Sequence, residues 1–177
     1  MKRFFNLWIY NHKFDKIYIM NKRGIKIIIF CLILLLLDFI TKFLVINSFN
    51  VNEGIVLINN FLKFTYIKNT GAAFGLLSGN IYILIIITIA LIIYLIREII
   101  RCNNRLYFFS YILILCGALG NLIDSVFRGY VIDFISFTLF KHEMAIFNVA
   151  DIYITLGVLL FIYCIFKEGK NERNNSK

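Results

Sequence analysis

Two aspartates in the second half of the chain have the residue type and the surroundings for proton-transfer chemistry. Asp133 lies within the apolar run Val131–Ile135, and Asp151 opens an apolar stretch three residues after Asn148. Two carboxyls that meet in a place of low dielectric cannot both ionise, so the pair holds one proton. One carboxylate can then take a proton from water while its protonated partner polarises a peptide carbonyl, as in aspartic proteases.

Capping of a helix is the alternative role for Asp151, because a carboxylate is favourable at a helix N-terminus. Capping does not explain a second acid, Asp133, in apolar surroundings. The two histidines, His12 and His142, are far apart, and no cysteine lies near the acids. We therefore expect neither a metal nor a cofactor.

Three further polar groups stand beside or within apolar stretches, where an unpaired polar side chain is costly. Asp38 and Lys42 are four residues apart and share a helix face, which favours a structural ion pair. Asn121 and Asp124 either order a loop or reach into a site. The segment 69–74 either holds an extended peptide against its small residues or is a loop without a recognition role.

The elements that must position these residues are long apolar blocks. The chain is 60% hydrophobic, has a mean hydropathy of +0.81 and contains no proline. Its apolar residues concentrate in four blocks of about the length that crosses a bilayer, and the stretch 81–95 has no polar face. We expect four transmembrane helices over about 25–46, 81–100, 106–123 and 150–166.

The net charge of +9 orients these helices. Basic residues cluster at 2–26, 97–105 and 167–177, whereas the connections 47–80 and 124–149 contain few. The positive-inside rule then places both termini in the cytoplasm and the two long connections outside. Topology accounts for the basic residues, so no nucleic-acid partner is needed.

We divide the chain into a basic cytoplasmic extension at 1–24, a four-helix transmembrane domain at 25–167 and a polar cytoplasmic tail at 168–177. Residues 4–20 either lie along the inner membrane surface as an interfacial helix or are disordered.

The residues of the first outer connection, 47–80, predict a small β-sheet between helices 1 and 2. Residues 54–68 are rich in β-branched and aromatic residues, and Asn59-Asn60 offers a turn between two strands. The second outer connection contains another candidate strand at 130–136 and a polar turn at 141–143. The predicted fold is an all-α membrane protein with a small extracytoplasmic sheet.

Five segments of the chain resemble the bacterial lipoprotein signal peptidases, the signal peptidase II family. They occur in the family's order, with the helices placed as the family places them, between about residues 25 and 166. The segments are Asp38–Lys42, Asn69–Phe74, Gly117–Asp124, Gly129–Ile135 and Phe147–Asp151.

The resemblance implies an intramembrane aspartic endopeptidase of the bacterial inner membrane, with its active site on the outer side. It would remove the signal peptide of a prolipoprotein just before a cysteine that carries diacylglycerol. Its partners would be such precursors and membrane lipids, and we expect a monomer.

The resemblance also implies a role for individual residues, carried over by position. The catalytic pair is Asp133 and Asp151, the substrate-binding or site-ordering residues are Asn69, Gly71, Asn121 and Asn148, and the supporting pair is Asp38 and Lys42.

Two points stay open in this assignment. Asp124 is taken as structural because the catalytic acid of the motif lies nine residues later, but the spacing also fits a pair of Asp124 and Asp151. The family pattern has an arginine directly after this acid, where the chain has Ser125. Arg128 would serve from the same face if the helix continued that far.

Intramembrane acids also occur in proton- or ion-coupled carriers, which are the main alternative class. Here the acids cluster at one boundary of the membrane and no inverted repeat is visible, which disfavours a carrier. A non-catalytic scaffold is the third hypothesis, and it predicts that neutralising both acids leaves function intact.

Overall fold

The computed structural model describes residues 2–71, 80–139 and 142–175. Within them the chain forms four α-helices, each with a stretch long and apolar enough to cross a membrane. The predicted four-helix membrane fold is confirmed. The helices are α1 (Lys2–Ser48), α2 (Ile81–Arg101), α3 (Arg105–Arg128) and α4 (Val149–Asn175), and the membrane-length stretches are Gly24–Ser48, Ile81–Arg101, Arg105–Arg128 and Val149–Asn171.

The helix bounds differ from the predicted ones at two places that matter. Helix α3 continues to Arg128, so Asp124, Ser125 and Arg128 are all helical. The backbone of residues 2–23 is helical within α1, and its position along the inner membrane surface stays a prediction. The chain divides into two compact units, Met1–Leu34 and Leu35–Lys177. Every candidate site residue belongs to the second unit.

The helices expose apolar side chains that a soluble protein would bury. In α2, Ile86 and Ile93 are 67% and 64% exposed, whereas Ile92 and Leu95 are buried. A helix that is apolar all round requires an apolar environment, and the hydrocarbon of a bilayer provides it.

The connection between α1 and α2 and the connection between α3 and α4 both contribute to one antiparallel sheet. Its strands are β1 (Gly54–Ile58), β2 (Leu62–Asn69), β3 (Val131–Leu139) and β4 (His142–Phe147), in the order β1-β2-β3-β4. The predicted hairpin turn is confirmed, with Asn60 in the left-handed region at φ 58°. The predicted turn at 141–143 falls partly on residues 140–141, which lie outside the described residues, and His142 already pairs with Leu139 in β4.

Strands β2 and β3 pair across connections that are far apart in sequence. The register places Ile67 opposite Asp133 and Asn69 opposite Val131. One face of the sheet forms a small core with the C-terminal end of α1, made of Val45, Tyr66, Ile132 and Phe134. This core fixes the position of β3, and with it the backbone of Asp133.

Helices α3 and α4 approach closely at two glycines of α3. A Cβ at Gly117 would meet the carbonyl oxygen of Ala150, and one at Gly120 would lie 2.6 Å from Asp38 Oδ2. These positions have room for a hydrogen only. The glycines thus allow the first turn of α4 to lie beside α3 and the buried Asp38.

Candidate active site

The two candidate acids come from different elements and line the same cavity. Asp133 is in β3 and is 2% exposed, and Asp151 is in the first turn of α4. The cavity has a volume of about 320 Å³, and the amides of Asn69 and Asn121 also line it. The structure therefore brings the two acids together with amide groups in one enclosed place.

Asn148 binds both acids. Its side-chain Nδ2 donates to Asp133 Oδ1 at 2.7 Å, and its backbone N donates to Asp151 Oδ2 at 3.1 Å. Its Oδ1 accepts from the backbone N of Asp151 at 3.0 Å. The residue is fully buried, so its geometry sets the position of one acid relative to the other.

The contacts between Asn148 and Asp151 are those of a reciprocal cap at the start of α4. Each side chain accepts the backbone N–H of the other, which satisfies two donors that the helix leaves free. The capping role considered for Asp151 is thus real, but it uses only Oδ2 of the carboxyl. The other oxygen, Oδ1, accepts from Asn121 Nδ2 at 2.7 Å.

Asn69 holds Asp133 from the opposite side. Its Nδ2 donates to Asp133 Oδ2 at 2.7 Å, and its Oδ1 accepts from the backbone N of Gly71 at 2.9 Å. The Gly71 contact fixes the orientation of the Asn69 amide, which explains the Asn-x-Gly spacing at the end of β2. The rest of the predicted motif, Ala72 to Phe74, lies outside the described residues. All four carboxyl oxygens of Asp133 and Asp151 thus accept a hydrogen bond from an amide.

Lys42 orients the amide of Asn121. The ammonium Nζ donates to Asn121 Oδ1 at 3.1 Å and lies 2.8 Å from Asp38 Oδ2 and 3.0 Å from Asp124 Oδ2. An ammonium has three N–H donors, and these three oxygens use them all. With Oδ1 turned to Lys42, the Nδ2 of Asn121 faces Asp151. Asp38 adds a second link, because its Oδ1 accepts from the backbone N of Ala150 at 2.9 Å.

Asp124 is engaged by positive charge on both oxygens. Besides Lys42, it pairs with Arg128 Nε at 3.1 Å, one helical turn further along α3. Among the described residues, Asp133 and Asp151 have no such ion pair, and Asp124 does not line the cavity. Ser125 does line it and donates to the backbone oxygen of Asn121 at 2.9 Å.

Burial and the neighbouring carboxyl raise the pKa of Asp133 well above the usual value of an aspartate. Its pKa is raised from 3.8 to about 7, first because burial disfavours the charged form and second because of the nearby carboxyl of Asp151. Hydrogen bonds from Asn69 and Asn148 and the charge of Lys42 lower the pKa without cancelling these effects. Near neutral pH, Asp133 is therefore a mixture of the protonated and ionised forms.

Two hydroxyls of the cavity were missed by the sequence reasoning. Thr88 of α2 and Thr155 of α4 line the wall of the cavity. Thr155 lies four residues after Asp151 and therefore on the same helix face, a signal that the sequence contains. Thr88 stands alone in an apolar stretch, and its position on the cavity follows only from the packing of α2.

Replacing Lys42 with Met should lower the free energy of unfolding by about 3–5 kcal/mol, because Asp38 and Asp124 would lose a cation while they stay buried. Thermal unfolding in detergent measures the effect as a drop in Tm. Lys26→Met is the matched control, since Lys26 is exposed on the same helix, and its Tm should stay close to the wild-type value. Equal Tm values for the two variants would contradict the role given to Lys42.

The chain is similar in sequence to lipoprotein signal peptidases of several bacteria. Residues 30–167 match the family model described as signal peptidase (SPase) II. A lipoprotein signal peptidase of Caldicellulosiruptor bescii is 41% identical over 71% of this chain and 81% of its own length. One from Halalkalibacterium halodurans is 38% identical over 84% of this chain and 97% of its length, and one from Staphylococcus aureus is 34% identical over 83% and 91%.

Two solved structures, each described as a bacterial membrane enzyme, have the same fold. One has a TM-score of 0.77 and 34% identity, covering 82% of this chain and 90% of its own. The other has a TM-score of 0.72 and 35% identity, covering 80% and 93%. The fold of this chain thus recurs in bacterial membrane enzymes.

Proposed function

The chain belongs to the signal peptidase II family, and from this premise we propose that it is an aspartic endopeptidase that removes the signal peptides of prolipoproteins. The cleaved bond directly precedes a cysteine that carries diacylglycerol. The catalytic pair is Asp133 and Asp151. The protein crosses the bacterial inner membrane several times.

The observation that carries the proposal is the linkage of the two acids through Asn148. One residue donates to both carboxyls, at 2.7 Å and 3.1 Å, beside a cavity that both acids line. Neither acid has an ion pair among the described residues. Two nearby buried carboxyls without an ion pair favour a state with one proton between them.

The proposed chemistry is the addition of water to a peptide carbonyl. In the reactive state Asp133 carries the shared proton and donates a hydrogen bond to the carbonyl oxygen, while ionised Asp151 takes a proton from water. The water oxygen bonds to the carbonyl carbon and gives a tetrahedral intermediate. The C–N bond then breaks, and the proton held by Asp151 passes to the leaving amine of the cysteine.

The remaining polar residues order this site. Asn69, Asn121 and Asn148 hold the four carboxyl oxygens, and Gly71 fixes the Asn69 amide. Asp38 and Lys42 support the start of α4 and the amide of Asn121. Arg128 neutralises Asp124 from the position one helical turn on, which supports a structural role for Asp124 and disfavours a catalytic pair of Asp124 and Asp151.

We further propose that both termini lie in the cytoplasm and that the acids work on the outer side. The distribution of basic residues supports this orientation. The division into an extension at 1–24, a peptidase domain at 25–167 and a tail at 168–177 belongs to the same proposal, as do the monomeric state and the contact with membrane lipids. The carrier hypothesis has no support in the family or in the contacts of the acids.

Cleavage of a diacylglyceryl-modified precursor by the purified protein in liposomes tests the function. The modified precursor should be cut before its cysteine, and the same precursor with an unmodified cysteine should be cut at least about tenfold more slowly, because the lipid restricts the positions of the adjacent peptide bond at the membrane surface. Failure of the folded protein to cut either precursor would overturn the proposal. Equal rates on the two precursors would overturn the lipid requirement.

A further inference from the structure

A second cavity, almost free of polar groups, lies between the sheet and the first turns of α4. Its volume is about 490 Å³. Apolar side chains of β2, β3 and α4 line most of it, and among the described residues that line it only Asp151 is charged. The apolar lining includes Leu62, Phe64, Ile135, Phe137, Ile152 and Leu156.

This apolar cavity adjoins the cavity that holds the acid pair. Phe147, Asp151 and Thr155 line both cavities. A substrate whose reacting carbonyl lies at the acids can therefore place a neighbouring group in the apolar cavity without crossing an intervening element.

The apolar cavity is also open to the surface that faces lipid. Ile152 and Leu156, on one face of α4, are 42% and 51% exposed. They continue the apolar surface of a membrane-spanning helix, so an acyl chain can enter sideways from the bilayer without passing through water.

We propose that the apolar cavity binds a fatty acyl chain of the lipid attached to the substrate's cysteine. The inference rests on the proposed function, in which that cysteine directly follows the cleaved bond. Its lipid therefore begins a few bonds from the carbonyl that the acids attack. An uncharged chain matches this lining, because its described residues are apolar except for Asp151 and Thr155.

The cavity contributes by orienting the substrate. An acyl chain that moves from bilayer hydrocarbon into an apolar cavity gains little from the hydrophobic effect, because both environments are apolar. Holding the chain next to Asp151 limits the positions of the carbonyl before reaction. The cavity thus selects a lipid-modified cysteine at the step of positioning.

The test compares precursors with palmitoyl and with acetyl chains on the glyceryl group. Leu156→Trp fills the cavity and should lower the ratio of kcat/KM for the palmitoyl precursor to that for the acetyl precursor by at least about tenfold. Leu159→Trp is the matched control, because Leu159 is 57% exposed on the same helix and lines neither cavity. The control should leave the ratio unchanged.

An unchanged ratio in folded Leu156→Trp would overturn the acyl-chain site, while cleavage by the wild-type protein would still uphold the proposed function. If the wild-type protein cleaved neither precursor, the function itself would fail. The two failures are therefore distinguishable.

A second measurement identifies the occupant without relying on the Trp variant. Leu156→p-benzoylphenylalanine is irradiated with the palmitoyl precursor, and the adduct is analysed by mass spectrometry. An adduct on the precursor's acyl chain supports the proposal. An adduct only on the signal peptide, or only on bulk phospholipid at saturating precursor, contradicts it.

Discussion

Asp133→Asn should lower kcat for the lipid-modified precursor by about 10⁴-fold or more, the size of effect seen when an essential catalytic group is removed. Asn cannot hold or release the shared proton. It also places an NH₂ group against one of two amide donors, Asn69 and Asn148, that now bind the carboxyl oxygens. Asp151→Asn should cause a loss of the same size, since each carboxyl needs the other.

Two further variants separate catalysis from folding. Glu53→Gln removes an exposed carboxylate before β1 and should leave kcat unchanged. Asp124→Asn weakens the pairing with Lys42 and Arg128, so it should lower Tm and leave measurable cleavage. An active Asp133→Asn protein together with an inactive, folded Asp124→Asn protein would transfer the catalytic role to Asp124 and Asp151.

Asn148→Asp should lower kcat by about 10²- to 10³-fold, comparable to the loss of a positioned donor in other active sites. The side chain would keep an oxygen for the backbone N of Asp151 but lose the Nδ2 donor to Asp133. It would also add a third buried carboxyl beside the pair. Steady-state cleavage of the lipid-modified precursor measures the effect.

Asn104→Ala is the matched control for the capping function of Asn148. Asn104 caps α3, and its Oδ1 accepts from the backbone N of Leu106 at 2.9 Å. Its loss should cost about 1 kcal/mol of stability and should leave kcat unaffected, because Asn104 is at the opposite end of α3 from Asn121. Full activity of Asn148→Asp would contradict the bridging role of Asn148.

The helices could be predicted from the sequence because the bilayer imposes a length and an apolar composition on every span. The stretch 81–100 satisfies both by itself, and α2 ends within one residue of the prediction. The end of α3 was placed too early because Asp124, Ser125 and Arg128 are polar. One partner of Asp124 is Lys42 of α1, more than eighty residues earlier in the chain, and local hydropathy does not reveal such a partner.

For the sheet, the sequence predicted individual strands and the first turn but not the pairing of strands from different connections. Alternating residues at 62–66 and the turn at Asn59-Asn60 indicate the first hairpin. The pairing of β2 with β3 joins segments more than sixty residues apart, as in Asn69 opposite Val131, and no local pattern specifies such a partner. The apolar second cavity depends on this pairing, so the sequence did not reveal it.

The sequence indicated which residues belong to the candidate site, but it did not indicate the role of each one. Spacing alone left Asp124 and Asp133 as rival partners of Asp151. Their contacts differ and support the proposed pair of Asp133 and Asp151, because Asp124 lies between Lys42 and Arg128 while Asp133 lies between two amides. Similarly, the place of Asp151 at the start of an apolar stretch indicated a helix cap. The hydrogen bond from Asn148 to Asp133 depends on the position of β3, which the sequence did not indicate.

The pH dependence of kcat/KM for the lipid-modified precursor tests most directly whether the two carboxyls share one proton, because kcat/KM reports the ionisation of the enzyme before substrate binds. The pKa of Asp133 is raised to about 7, so the shared proton is present below that pH and is lost above it. We predict that kcat/KM falls as the pH rises through about 7, with a slope that corresponds to one proton. A kcat/KM that stays constant or increases across the same range would contradict the account, because the reaction would then use ionised carboxylates alone.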